Sequence, residues 1–206
     1  MPDFYEVPVT GEQRACAAAL VAHSLEHHPI SNVWDGAPRH RRRTPDLRLT
    51  GTLGEVVFAD AYGLPRPLRS FGAVDGQDFG EDFRLEARGA ARRVDVKAMA
   101  RRGRTLRAHY VLNLSARQVH RADGVTDLFF HVSLSPGREP ATAALVGTVS
   151  RERLLAGTAG ELFTAGTRRV RQDGSSFTFY EDTYEVRLGE LDAPPPPAVP
   201  ARPRRL

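Results

Sequence analysis

The chain has 206 residues, 41% of them hydrophobic and 26% charged, with a formal net charge of +4. That length and balance suit a globular protein with a core of its own, and no apolar run is long enough to span a bilayer. Cys16 is the one cysteine, which excludes an internal disulfide and any multi-cysteine metal site. The N-terminus lacks a basic region followed by an apolar stretch, so neither a signal peptide nor a membrane anchor is expected and the setting is cytoplasmic.

Taken in chain order, residues 10–28 read as a helix. Thr10 and Gln13 have capping-box spacing, and the alanine-rich run ends at Pro29. Cys16 on this helix is expected to be a small buried apolar residue. Residues 30–49 read as irregular and carry Trp34 and the basic run Arg39-His40-Arg41-Arg42-Arg43. Trp34 is expected to anchor that segment, with stacking on a base as the alternative. Thr50 is expected to cap a second helix from Gly51 to about Tyr62, stopped by Gly63 and Pro65. Two alternating segments follow, Asp82–Glu86 and Arg93–Lys97, with Gly89 between them as a turn.

Strands are expected over 109–114, 128–134 and 143–149. Ser115 and Ser150 are expected to cap short helices that run to Arg121 and Ala156. A hairpin is expected from 167–171 and 177–188, with Asp173-Gly174 at its turn. The Pro-rich, basic stretch after Leu191 reads as a disordered tail, 192–206, behind a single domain, 1–191. Helices flanking strands of mixed spacing point to an α/β fold around a mixed sheet, closed by a C-terminal β-hairpin.

One of the 29 basic residues is a lysine, Lys97; the others are arginines. In a chain that otherwise uses arginine for positive charge, position 97 calls for an ammonium, a compact charge with an accessible pKa. With the turn placed between Gly89 and Ala90, Asp82 faces Lys97 and Arg84 faces Asp95. Phe83, Leu85, Val94 and Val96 then share a core face, and Asp82, Arg84, Asp95 and Lys97 share the other. Two converging carboxylates repel each other unless a cation lies between them. A hard ion, Mg²⁺ or Mn²⁺, suits such ligands and activates a bound water. Lys97 can orient or deprotonate that water or offset developing charge. Glu55 on the second helix can assist through water.

These pieces resemble the PD-(D/E)xK, or restriction-endonuclease-like, nuclease superfamily. The matching segments are Gly54-Glu55 in a helix, Gly80-Glu81-Asp82-Phe83 opening one strand and Asp95-Val96-Lys97 in the next. The strand 109–114 and a polar segment with Gln118 follow. The resemblance covers residues 50–134. Val146–Ser150 and Tyr184-Glu185-Val186, with Leu188 and Leu191, also look like the later parts of small members. It implies a restriction-endonuclease-like fold and a metal-dependent DNA endonuclease serving restriction, phage defence or repair. Asp82 and Asp95 would hold the ion, Lys97 would be catalytic and Glu55 would assist, with Asp78 the alternative to Asp82. A non-catalytic nucleic-acid-binding protein of the same fold is the second reading.

Arg41, Arg42 and Arg43, and Arg101, Arg102 and Arg104 after the Lys97 strand, are candidate phosphate contacts. Cutting both strands of a palindrome implies a homodimer, and so short a chain leaves specificity to a partner protein. His23-Ser24-Leu25-Glu26-His27 also fits the H-x-x-E-H pattern of inverted zinc peptidases. The sequence does not identify a third, acidic ligand further along, and histidine near a helix C-terminus is favourable without a metal.

Overall fold

A computed structural model describes residues 3–27, 44–67, 82–87, 89–101, 103, 105–122, 126–170, 174 and 176–206. Thr10 opens the first helix as its spacing predicts. The Gln13 backbone N–H donates to Thr10 Oγ1 (3.1 Å), and the Thr10 N–H donates to Gln13 Oε1 (2.9 Å). Helix α1 runs Gly11–His27. Cys16 is half-buried and packs against the core.

Helix α2 runs Thr44–Ala61, starting well before the expected Gly51. Pro45 opens this helix instead of breaking it, because a first-turn residue has no intrahelical use for its N–H. Thr50 is therefore interior, and its hydroxyl donates back to the Asp46 carbonyl at 2.8 Å. The stop at Gly63 is as expected. Gly63 has φ +64, and the Leu64 N–H closes the turn on the Ala59 carbonyl.

The strands form a mixed six-stranded sheet in the order β11-β1-β6-β5-β3-β2. These are β1 Phe4–Pro8, β2 Phe83–Ala87, β3 Ala90–Ala100, β5 Leu128–Leu134, β6 Thr142–Ser150 and β11 Arg202–Arg204. Neighbours β3 and β5 are parallel and every other pair is antiparallel. A second sheet has the order β4-β10-β7, from Val111–Ser115, Thr183–Arg187 and Glu161–Phe163. Strands β8 Arg168–Val170 and β9 Ser176–Thr178 pair with each other. Short helices α3 Ala116–Val119 and α4 Arg151–Leu155 follow β4 and β6. The protein is thus a mixed α/β structure with helices flanking the large sheet.

Each face of the large sheet has its own core. Val94, Val96, Phe130, Val132 and Leu145 pack with Leu53, Val56, Val57 and Phe58 of α2 and Leu20 of α1. On the other face, Phe4, Phe129, Ala144, Val146 and Val149 pack with Leu112, Leu114, Tyr184 and Val186 of the second sheet. The helical layer is tied together at one end by charge. Arg66 donates from Nε and Nη2 to the two oxygens of Asp60 and from Nη1 to Glu12, while Gln13 Nε2 donates to Asp60 Oδ2. These donors hold the Asp60 carboxyl below its ordinary pKa.

Several expectations are corrected here. The expected C-terminal hairpin holds only for β8 and β9. Residues 183–187 leave it to become the centre of the second sheet, because Tyr184 and Val186 have the second core to fill. Ser150 caps α4 by accepting from the Arg153 N–H, but the Ser115 hydroxyl donates to Glu181 and makes no side-chain cap; α3 ends at Val119, short of the expected Arg121.

The tail 192–206 is ordered. Asp192 exchanges backbone hydrogen bonds with Thr148, the Pro195 carbonyl accepts from the Tyr62 hydroxyl, the Ala198 N–H donates to Ala61, and β11 pairs with β1. Its composition argued for disorder, but Val199 and Ala201 find apolar surface on the first core and the backbone finds partners. Gly147 (φ +148) makes room for this strap, since a side chain there would strike the Asp192 carbonyl.

Gly54 sets how closely α2 approaches the sheet. A methyl at position 54 would collide with the Ala98 methyl on β3. We expect Gly54→Ala to lower unfolding free energy by about 1–3 kcal/mol, despite a helix-propensity gain of about 1 kcal/mol. Adding Ala98→Gly should recover much of the loss. Urea titrations of both variants measure this, and an undiminished midpoint in Gly54→Ala would refute the close-packing account.

Candidate active site

The β2–β3 hairpin carries the candidate residues. Its strands pair Phe83 with Val94, Arg84 with Arg93 and Ala87 with Ala90, and Gly89 stands between them with φ +75. This register differs by two residues from the one expected. Asp82 therefore lies one step beyond the last pair, on the side of Asp95, and does not face Lys97. A shift of two preserves side-chain parity, so the grouping by faces survives. Val94 and Val96 point into the helix-side core, and Asp95 and Lys97 point to the opposite face.

Lys97 Nζ lies 2.7 Å from Asp95 Oδ1. The Asp95 side chain is 8% exposed and that of Lys97 24%. Asp82 reaches the same stretch along the sheet edge: its N–H donates to the Val94 carbonyl, and its Oδ2 accepts from the Val96 N–H at 2.6 Å. The two carboxylates thus flank the Asp95–Val96 peptide. From the other side, parallel strand β5 sets Phe129 beside Asp95 and His131 beside Lys97. His131 is buried, and its Nδ1 is 3.1 Å from the Lys97 carbonyl oxygen. With Nδ1–H as donor, the imidazole fixes the main chain at the lysine.

Three cross-sheet rows result. Arg84, Arg93 and Asp127 form the first, where Arg93 forks onto Asp127 with Nε–Oδ2 3.1 Å and Nη2–Oδ1 2.9 Å. Asp82, Asp95 and Phe129 form the second, and Lys97 and His131 the third. The Arg93 guanidinium holds the Asp127 carboxyl below the usual carboxylate range. His131 and Asp127 were not singled out in the sequence. A histidine inside the mostly apolar run Leu128–Leu134 was the available signal for the first.

Glu55 follows Gly54 on α2, the helix that covers the face opposite to Asp95 and Lys97. The structure thus brings Asp82, which precedes β2, alongside Asp95 and Lys97 of β3, with Glu55 on the helix that covers the other face. Arg101 directly follows β3, and its backbone N–H and Nε both donate to the Leu134 carbonyl. Gln118 is half-buried on α3. Asp78, Arg41, Arg42, Arg43, Arg102, Arg104, Trp34 and the His27 side chain lie outside the described residues. His23 sits on α1, in the helical layer.

Among the described residues, no three His, Cys, Asp or Glu side chains gather as a metal-holding group. The donors at hand are two carboxylates. That set fits an ion such as Mg²⁺, which keeps several waters and uses one or two carboxylates together with substrate phosphate, better than a structural zinc with four protein ligands. No family model, curated protein or solved structure matches the chain. Among the described residues, no helix is long and apolar enough to cross a membrane.

Burial pushes the His131 pKa down from 6.5 to about 4; the Lys97 carbonyl works against this and the charge of Arg101 adds to it. Between those values the unfolded chain binds a proton that the folded chain refuses. The contribution to stability is full above about pH 6.5 and is lost as pH falls toward 4, by about 3 kcal/mol in all. We expect His131→Gln to flatten unfolding free energy against pH over this window. An unchanged slope would mean that another group governs it.

Proposed function

We propose that the protein is a metal-dependent nuclease with a restriction-endonuclease-like core, acting on the phosphodiester backbone of DNA. The observation that carries this reading is the placement of the chain's one ammonium, 2.7 Å from a nearly buried carboxylate. A second carboxylate lies against the next peptide. Arginine would have met a need for charge alone, as it does elsewhere in this sequence.

In this reading Asp82 and Asp95 hold Mg²⁺ or Mn²⁺, which supplies polarisation of the phosphate and a lowered pKa for bound water. Asp95 aims Lys97. Lys97 positions the attacking water and offsets charge gathering on the phosphate oxygens. His131 holds the lysine main chain while that charge develops. Glu55 assists through water from the helical side of β3. The spatial order of helix, hairpin and parallel strand supports the restriction-like assignment, and the arginine content supports a polyanionic substrate.

One observation favours a binding protein without catalysis. The Asp82 carboxylate already serves as acceptor for the Val96 N–H, and Asp95 is satisfied by Lys97. Plasmid nicking separates the two readings. With Mg²⁺ or Mn²⁺ we expect the wild-type protein to cleave, and Lys97→Ala, Lys97→Arg and Asp95→Asn each to lose about 100-fold or more in rate while circular dichroism stays native. Cleavage that Lys97→Arg leaves intact, or that persists in EDTA, would reject the mechanism. DNA retention without cleavage would favour the binding protein.

A further inference from the structure

The turn that leads into β4 shows four consecutive side chains to solvent. Arg107, Ala108, His109 and Tyr110 are all exposed, while Leu106 before them is buried in the second core and Val111 after them begins β4. The backbone of the turn is nevertheless locked. The Tyr110 N–H donates to the Arg107 carbonyl at 3.0 Å. The Ala108 and Tyr110 carbonyls accept from the N–H groups of Gly189 (3.0 Å) and Leu188 (2.8 Å), in the single-turn helix Leu188–Glu190. Gly189 permits this approach, since a methyl there would meet the Ala108 methyl at 3.1 Å. The turn is thus held by main chain and by Leu106, and the Arg107, His109 and Tyr110 side chains belong to neither core.

The His109 and Tyr110 rings meet edge to face, with centroids 5.1 Å apart and planes at 89°. Such a contact covers one of the pair's four ring faces, and Tyr110 remains 37% exposed. Guanidiniums stand on both sides. Arg107 is in the turn, and Arg187 is directly across from Val111 on β10. Both are exposed, and among the described residues neither forms an ion pair with a carboxylate. The acids closest to Arg187 in sequence have other donors: Glu185 takes Arg169, and Glu190 takes the backbone N–H groups of Gly160 and Arg187.

Open aromatic faces beside cations fit a chain that offers both flat apolar faces and negative charge, as a nucleic acid does. In a duplex the base faces are already stacked on one another, so the fit is to an unpaired strand. The turn is also on the appropriate side of the large sheet. Leu106 shares the second core with Phe129, the neighbour of Asp95 on β5.

We propose that the Arg107–Tyr110 turn, together with Arg187, binds single-stranded DNA, with His109 and Tyr110 stacking on bases and the arginines meeting the backbone. This rests on the nuclease reading for the choice of DNA, and it names the substrate class as DNA with an unpaired segment. Its test does not need catalysis. Binding of a fluorescein-labelled single strand of about 20 nucleotides, long enough for one site, and of the matching duplex is measured by anisotropy in EDTA, from about 50 to 200 mM salt.

The wild-type protein should prefer the single strand. Tyr110→Ala should weaken single-strand binding by about tenfold and duplex binding by less than about twofold, and Tyr110→Phe should keep wild-type affinity. Arg107→Ala should reduce the slope of log affinity against log salt by about 0.7 on the single strand. All these side chains are exposed, so circular dichroism should stay native. Unchanged single-strand affinity in Tyr110→Ala, an equal loss on the duplex, or no measurable binding by the wild-type protein would overturn the proposal. Plasmid cleavage is scored separately. A protein that binds single strands through Tyr110 but never cleaves would reject the nuclease reading and leave this surface standing. A protein that cleaves, yet binds single strands equally well without Tyr110, would do the reverse.

Discussion

A carboxylate as enclosed as Asp95 is tolerated only with a cation beside it, and the arrangement around β3 follows from that requirement. Taking the charge out of water costs several kcal/mol unless the geometry repays it. Lys97, two residues along the same strand, supplies the cation at 2.7 Å. The pair then needs a strand that does not shift, and both neighbours of β3 hold it. Asp82 accepts from the Val96 N–H on the β2 side, and His131 contacts the Lys97 carbonyl on the β5 side. Three consecutive residues are thereby gripped by side chains as well as by the backbone ladder.

The two faces of β3 have different work. Val94 and Val96 belong to the apolar layer under α2, where Gly54 and Ala98 bring helix and strand into direct contact. That contact sets the height of the strand but adds no chemistry. The opposite face is partly closed by the second sheet, whose Leu112, Leu114 and Val186 pack with Phe129. The result is a charged row at the margin of an apolar core. There the effective dielectric is lower than in water and each charge interaction counts for more.

Much of this was readable because parity is robust. The alternation of Phe83, Leu85, Val94 and Val96 assigns the faces whether the hairpin pairs as expected or two residues away, as it does. The choice of partner within a face is not encoded in alternation; it depends on which positions form the turn. The capping box at Thr10 and the stop at Gly63 were legible because each is settled by local hydrogen bonding. The early start of α2 was not, since proline breaks a helix interior and opens a first turn equally well. Strands β1 and β7 lacked a local signal strong enough to define them, for their partners lie far away in sequence. His131 was hidden by its apolar neighbours. Its partner is a backbone atom on another strand, which no spacing rule reports.

The proline-rich terminus has a further meaning for the sheet it completes. Strand β1 pairs with β6 on one side, and its other side would present open N–H and C=O groups to any extended chain. Covering it with Arg202-Pro203-Arg204 closes that side with a segment that is itself a poor template: Pro203 has no N–H to offer, and its flanking guanidiniums repel a second copy. At the far end, β2 shows Arg84 and Glu86 to solvent. Both margins of the sheet are thus guarded by short charged strands, a defence against intermolecular β-pairing and aggregation.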